Sequence, residues 1–119
     1  VAGAGIRLQQ KDPGRPDGIV LTSAISEDNR KGGNLLDMKL SAIRVPTLVV
    51  HHVKDGCHVT PHYGVSRIMD GLTGARITEL ITIKGGNTKG DPCGPKSHHG
   101  FLGQRGKVVK KIALWIKAH

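Results

Sequence analysis

Residues 44–61, R-V-P-T-L-V-V-H-H-V-K-D-G-C-H-V-T-P, constrain the fold more than any other stretch of the chain. The apolar run 47–53 predicts a strand buried on both faces, as is typical of a parallel sheet. Asp55 follows this strand after a single residue, and Thr60 with Pro61 predicts a helix N-cap and first helical position. In open α/β sheets, ligands bind at the edge where such strand-to-helix corners lie.

Strands and helices alternate through the rest of the chain. This alternation predicts an α/β fold with parallel strands joined by right-handed crossovers. Threonine and glutamate in the last strand favour a position nearer the edge of the sheet. The predicted elements are strands at 18–23 and 77–83, helices at 61–72 and 103–118, one short helical stretch at 35–43, and the end of a helix at 1–11.

Length and charge limit the classes of function. The 119 residues form one domain at most, and three strands make a small sheet, so we expect residues 1–119 to be a partial domain. The net charge of +9 suggests an anionic partner, but no aromatic residues interleave with the cations for base stacking, which disfavours nucleic acid. A solvated helix face explains the basic cluster at 105–111 equally well. No 18-residue apolar run exists, so no membrane span is predicted.

Three polar side chains follow neighbouring strands at the same sheet edge. Asp55 follows the central strand, and His98 and His99 lie in the long glycine- and proline-rich loop after the next one. A carboxylate and an imidazole placed in this way can form a pair in which the acid orients the ring and stabilises its protonated form. The alternative is that Asp55 closes an Asx turn and that both histidines are ordinary loop residues.

The two cysteines flank these polar groups. Cys57 lies two residues after Asp55, and Cys93 lies five residues before His98. If the two corners meet, a disulfide would close a loop of about 37 residues and join the acid loop to the histidine loop. That bond would imply an oxidising compartment, and therefore an exported protein, periplasmic or secreted. Without the bond, the localisation stays open.

Free thiols and a zinc site are the alternatives to the disulfide. Cysteine and histidine are the ligands that zinc prefers, although their spacing in this chain matches no zinc fold that we can assign. The six residues that this alternative would draw upon are Cys57, His58, His62, Cys93, His98 and His99.

The assembled motifs resemble the C-terminal part of an α/β-hydrolase of the serine esterase or lipase type. The resemblance covers about residues 18–119: the strand I-R-V-P-T-L-V-V-H at 43–51, the acid that follows it, H-G-F at 99–101 and A-L-W-I at 113–116. It implies a parallel sheet segment with flanking helices, the C-terminal portion of that fold. The order of acid and then histidine agrees with the family's order of triad residues.

The resemblance also assigns roles to the site residues. It makes Asp55 the triad acid and His99 the triad base, because the family's histidine commonly precedes a small residue and an aromatic one. His98 is then a neighbour that shapes the loop. No metal or organic cofactor is implied, and the substrate would be a small molecule with an ester or related acyl bond.

The chain departs from the family in one decisive respect: it contains no G-x-S-x-G nucleophile elbow. Its first residue is not methionine, and its start resembles neither an intact signal peptide nor a natural N-terminus. We therefore expect a fragment of a serine hydrolase, inactive alone, whose main partner is the absent N-terminal half of the same fold. The alternatives are a non-catalytic basic module for nucleic acid or another anionic partner, and a zinc-binding domain.

Overall fold

A four-stranded sheet forms the centre of the fold in the computed structural model, which describes residues 4–6, 17–27 and 34–119. Its order is β1-β2-β3-β4, with β1 antiparallel to β2 and the other three strands parallel. The parallel arrangement predicted from the alternation is confirmed. The strands are β1 (Ala4–Ile6), β2 (Gly18–Thr22), β3 (Thr47–His52) and β4 (Thr78–Ile83).

In the described ranges, two α-helices and three short 3₁₀ helices connect and flank these strands. The predicted stretch at 35–43 is two 3₁₀ turns, because the Asn34 side chain caps the first turn and Met38 has an extended backbone that ends it. No helix among the described residues is long and apolar enough to cross a membrane. The helices are α1 (Val65–Gly71) and α2 (Arg105–Ala118), with 3₁₀ turns at Leu35–Asp37, Leu40–Ala42 and His62–Gly64.

Strand β3 separates two hydrophobic cores. All six of its residues are buried, as the continuous apolar run predicts. Because successive side chains point to opposite faces of a sheet, Val49 packs with the α1 side, whereas Leu48 and Val50 pack with the α2 side. The α1-side core includes Val65 and Ile68. This layered packing holds β3, and the residues after it, at the centre of the molecule.

The outer strands differ from β3. The first three residues of β4 are exposed, and β4 is an edge of the described sheet, as its composition predicts. At the opposite edge, residues 4–6 form β1, so the predicted helix end is wrong for this segment. Pairing with the open edge of β2 overrides the weak local helical preference. The other residues of the predicted helix at 1–11 lie outside the described part of the chain.

Candidate active site

Asp55 and His99 meet at the C-terminal edge of the parallel strands. Asp55 lies three residues after the end of β3, and His99 lies in the loop between β4 and α2. The Asp55 Oδ2 and His99 Nδ1 atoms are 3.0 Å apart, and the side chain of His99 is 21 % exposed. No residue in the described part of the chain hydrogen-bonds to His99 Nε2. The pair therefore leaves one ring nitrogen free to exchange a proton with another group.

The hydroxyl of Thr60 joins the same pair. Thr60 is buried and donates from Oγ1 to Asp55 Oδ2 over 3.0 Å. The same oxygen lies 2.8 Å from His99 Nδ1 and can accept the hydrogen of that nitrogen. The N-cap predicted at Thr60 is wrong, because the Asp55 carboxylate engages its side chain and the 3₁₀ turn before α1 begins after Pro61 without a side-chain cap.

A second histidine contacts the carboxylate from inside the protein. His51 Nε2 lies 3.1 Å from Asp55 Oδ2 and 2.7 Å from the carbonyl oxygen of Thr60. Both neighbouring atoms are acceptors, so Nε2 carries the hydrogen. His51 and the next residue of β3, His52, are both fully buried. Sequence reasoning did not connect His51 to the acid, although a spacing of four residues across a strand end permits the contact.

These donors keep Asp55 ionised. Burial raises the pKa of the carboxyl, but hydrogen bonds from His51, His99 and the Cys57 backbone N–H outweigh it and hold the pKa well below its usual range. The Cys57 N–H donates to Asp55 Oδ1 over 2.9 Å, which is the Asx turn of the alternative interpretation. The turn and the Asp–His pair therefore exist together. An ionised Asp55 requires His99 Nδ1 to act as the donor.

Cys57 and Cys93 form a disulfide, with their Cα atoms 4.6 Å apart. The predicted bond is confirmed, and it links the turn that holds Asp55 to the loop that carries His99. Cys57 is buried and Cys93 is exposed. Of the six residues of the zinc alternative, only Cys57, His58 and Cys93 come within 4.8 Å of one another in the described ranges, and the disulfide occupies both sulfur atoms.

His98 supports the histidine loop instead of the carboxylate. Its ring stacks on His52 with centroids 4.4 Å apart, and its Nδ1 lies 3.1 Å from Thr88 Oγ1. His52 is held in turn by the carbonyl oxygen of Gly85, 2.6 Å from Nε2, and by the Lys54 N–H, which donates to Nδ1. Burial lowers the pKa of His52. Because His52 belongs to β3, this stacking contact holds the loop of His98 against the end of that strand.

Backbone strain is concentrated around the same loop. Ser23 and Phe101 have positive φ angles of 48° and 59°, which residues other than glycine rarely adopt. Ser23 follows β2 and donates from Oγ to the backbone oxygen of His99 over 2.8 Å. A side chain at Gly100 would collide with the backbone of Pro95. Such strained positions cluster at functional sites in proteins, and here they surround His99.

Comparison with known proteins found no match to the chain among protein-family models, curated proteins or solved structures. The fold and the site define an α/β protein with a buried, ionised Asp55 paired to a partly exposed His99 at the C-terminal edge of three parallel strands. This edge is where ligands bind in such folds.

Proposed function

We propose that this chain supplies the acid and the base of a Ser–His–Asp triad in a serine hydrolase of the α/β-hydrolase family. The observation that carries the proposal is the contact of 3.0 Å between Asp55 Oδ2 and His99 Nδ1, with Nε2 of the same ring unbonded among described residues. The substrate class is a small molecule with an ester or related acyl bond.

In this mechanism, His99 Nε2 first accepts the proton of a serine hydroxyl as that oxygen attacks the acyl carbon. The same nitrogen then donates the proton to the leaving group, and the cycle repeats with water. Asp55 holds the hydrogen of His99 on Nδ1 and stabilises the imidazolium that forms. Thr60 fixes the carboxylate oxygen that makes this contact. These residues account for proton transfer, and the oxyanion hole would accompany the nucleophile.

The nucleophile would come from outside this chain. None of the described serine hydroxyls hydrogen-bonds to His99 Nε2: Ser23 donates to a backbone oxygen, and Ser97 donates to the carbonyl oxygens of Pro92 and Gly94. The complementing partner would be the N-terminal half of the same fold, with its nucleophile elbow. The disulfide supports an oxidising, exported location for the assembled protein.

The test measures hydrolysis of p-nitrophenyl butyrate by the longer polypeptide that would contain both this chain and the proposed serine-bearing half. We expect Asp55→Asn and His99→Ala each to lower kcat by about 10⁴-fold, with far-UV circular dichroism unchanged. His58→Ala is the matched control, since this exposed histidine lies in the same corner and touches no triad atom.

A fluorophosphonate probe provides an independent readout. It should label one serine of the longer polypeptide, lose that label in His99→Ala, and label no serine of the 119-residue chain. Hydrolysis at the wild-type rate in His99→Ala would overturn the triad assignment. Labelling of a serine within this chain would overturn the claim that the nucleophile lies elsewhere.

A further inference from the structure

Helix α2 carries charge of only one sign. Its 14 residues contain five cations and no carboxylate. The buried residues are Val108 and Trp115, which pack against the sheet with Ile112 and Ile116. None of the described carboxylates forms an ion pair with a cation of this helix. Within the described part of the chain, the outer face of α2 therefore presents a net positive charge.

The lysines of this face surround one exposed leucine. Leu114 is 58 % exposed. Residues three, four and seven positions away lie on the same side of a helix as a given residue. Four exposed lysines occupy such positions around Leu114: Lys107, Lys110, Lys111 and Lys117. Their long side chains can extend sideways and place the ammonium groups around an apolar centre.

We propose that this face of α2, defined by Leu114 and its four lysines, docks on the surface of a bilayer that contains anionic phospholipids. The helix would lie in the plane of the interface, with Leu114 at the acyl boundary and the ammonium groups at the lipid phosphates. Charge complementarity selects this occupant, because lysines near a bilayer surface are attracted to anionic headgroups and an exposed leucine among them can enter the acyl boundary.

A nucleic acid fits the same face less well. It would use the lysines, but the face offers no aromatic side chain for base stacking, and a phosphate backbone offers no apolar region for Leu114 to enter. The docking face lies on a helix and contains no residue of the Asp55–His99 site, so this proposal stands or falls separately from the hydrolase proposal.

The test is sedimentation of the oxidised chain with large unilamellar vesicles in 100 mM salt. Vesicles of phosphatidylcholine with one quarter phosphatidylglycerol should bind the protein, and pure phosphatidylcholine vesicles should not. Since each lysine near an anionic surface contributes about 1 kcal/mol, Lys110→Gln with Lys111→Gln should weaken binding by about 30-fold. Leu114→Ser should weaken it by about 10-fold or more, through loss of buried apolar area.

Two control variants separate docking from general charge attraction. Lys39→Gln with Arg76→Gln removes the same charge from exposed residues outside α2, and Met38→Ser removes a side chain that is 62 % exposed elsewhere. Both should bind anionic vesicles as the wild type does. The proposal is wrong if the wild type does not sediment with anionic vesicles, or if the control pair weakens binding as much as the α2 pair. Equal binding of Leu114→Ser and wild type, together with tight binding of duplex DNA, would instead identify a polyanion site.

Discussion

The side chain of Thr60 shows how one residue couples the two parts of the candidate site. Its hydroxyl contacts the carboxylate of Asp55 and the ring of His99 at the same time, inside the protein. A donor to a buried charged acceptor contributes more to stability than an ordinary hydrogen bond does. Thr60 therefore fixes the position of Asp55 relative to His99.

Thr60→Val removes the hydroxyl and keeps the shape of the side chain. We expect the free energy of unfolding to fall by about 2 kcal/mol, because Asp55 Oδ2 loses a donor in a buried environment. Thr60→Ser retains the hydroxyl and is the matched control, with a smaller loss from the missing methyl group. Urea unfolding at pH 7 measures both. Equal losses in the two variants would mean that the methyl group, and not the hydroxyl, stabilises this corner.

The depressed pKa of Asp55 also predicts how stability changes with pH. Because the folded-state pKa lies below the unfolded-state value of about 4, the ionised carboxylate stabilises the fold above that pH. The contribution decreases as the pH falls from about 4 towards the folded-state pKa. The difference in unfolding free energy between wild type and Asp55→Asn should be constant from pH 7 to about 5 and should shrink towards pH 3. Urea unfolding across this range would contradict the assignment if the difference did not change.

The sequence was informative about some of these residues and silent about others. The proximity of Asp55, His99 and the two cysteines could be predicted. Asp55 and His99 follow recognisable strands, and each cysteine lies a few residues from one of them. The contacts of Thr60 and His51 could not be predicted. They depend on how the chain turns after β3 and on the residue at which the 3₁₀ turn begins. The local sequence at Thr60 predicts an N-cap. Its side chain instead donates a hydrogen bond to the buried carboxylate of Asp55.

At the scale of elements, the loop between β4 and α2 depends on links to the rest of the sheet. It has no regular secondary structure over residues 84–104, yet the disulfide joins its middle to the turn after β3, and the stack of His98 on His52 joins its second half to β3. A long irregular loop in a protein is usually either functional or disordered. These contacts hold this loop in a defined position against the rest of the fold, which excludes the second class.

Reduction of the disulfide should therefore lower the free energy of unfolding of the whole domain. Closing a loop of about 37 residues contributes about 4 kcal/mol in the chain-entropy model, so reduced protein should unfold at a much lower urea concentration. Cys57→Ala with Cys93→Ala is the control, and its unfolding should not respond to dithiothreitol. Mass spectrometry should show an increase of about two daltons on reduction of the wild type. An identical urea midpoint before and after reduction would contradict a stabilising role for the bond.

The alternation of strands and helices was sufficient to predict the order of elements, but not every boundary. The strands β2, β3 and β4 were predictable because their apolar and β-branched runs end at turn residues. β1 was not, since Ala4–Ile6 has no strand pattern of its own and depends on pairing with β2. The 3₁₀ turns before β3 also depend on contacts that periodicity does not reveal. These contacts are the cap formed by Asn34 and the packing of Leu35 and Leu40 in the core.

At the scale of the whole molecule, the sheet is most protected at its centre. β3 has hydrogen-bonded neighbours on both sides and a core on each face, whereas β4 has one paired neighbour in the described sheet and several exposed residues. Local opening should require the least free energy where few apolar contacts must break. Opening of β4 therefore need not expose the amides of β3 that face β2.

Native-state hydrogen exchange should reveal this order. The amide hydrogens of Leu48 and Val50, which face β2, should exchange only through global unfolding, with the free energy that urea unfolding gives. Those β4 amides that are bonded to β3 should exchange through a smaller opening that depends little on urea, because little surface is exposed in it. Leu80→Thr serves as a control: at a side chain that is 40 % exposed, it should leave protection in β3 unchanged. If β3 and β4 exchanged with one common free energy, the sheet would open as a single cooperative unit, and the Asp55 corner would have no protection beyond that of the edge.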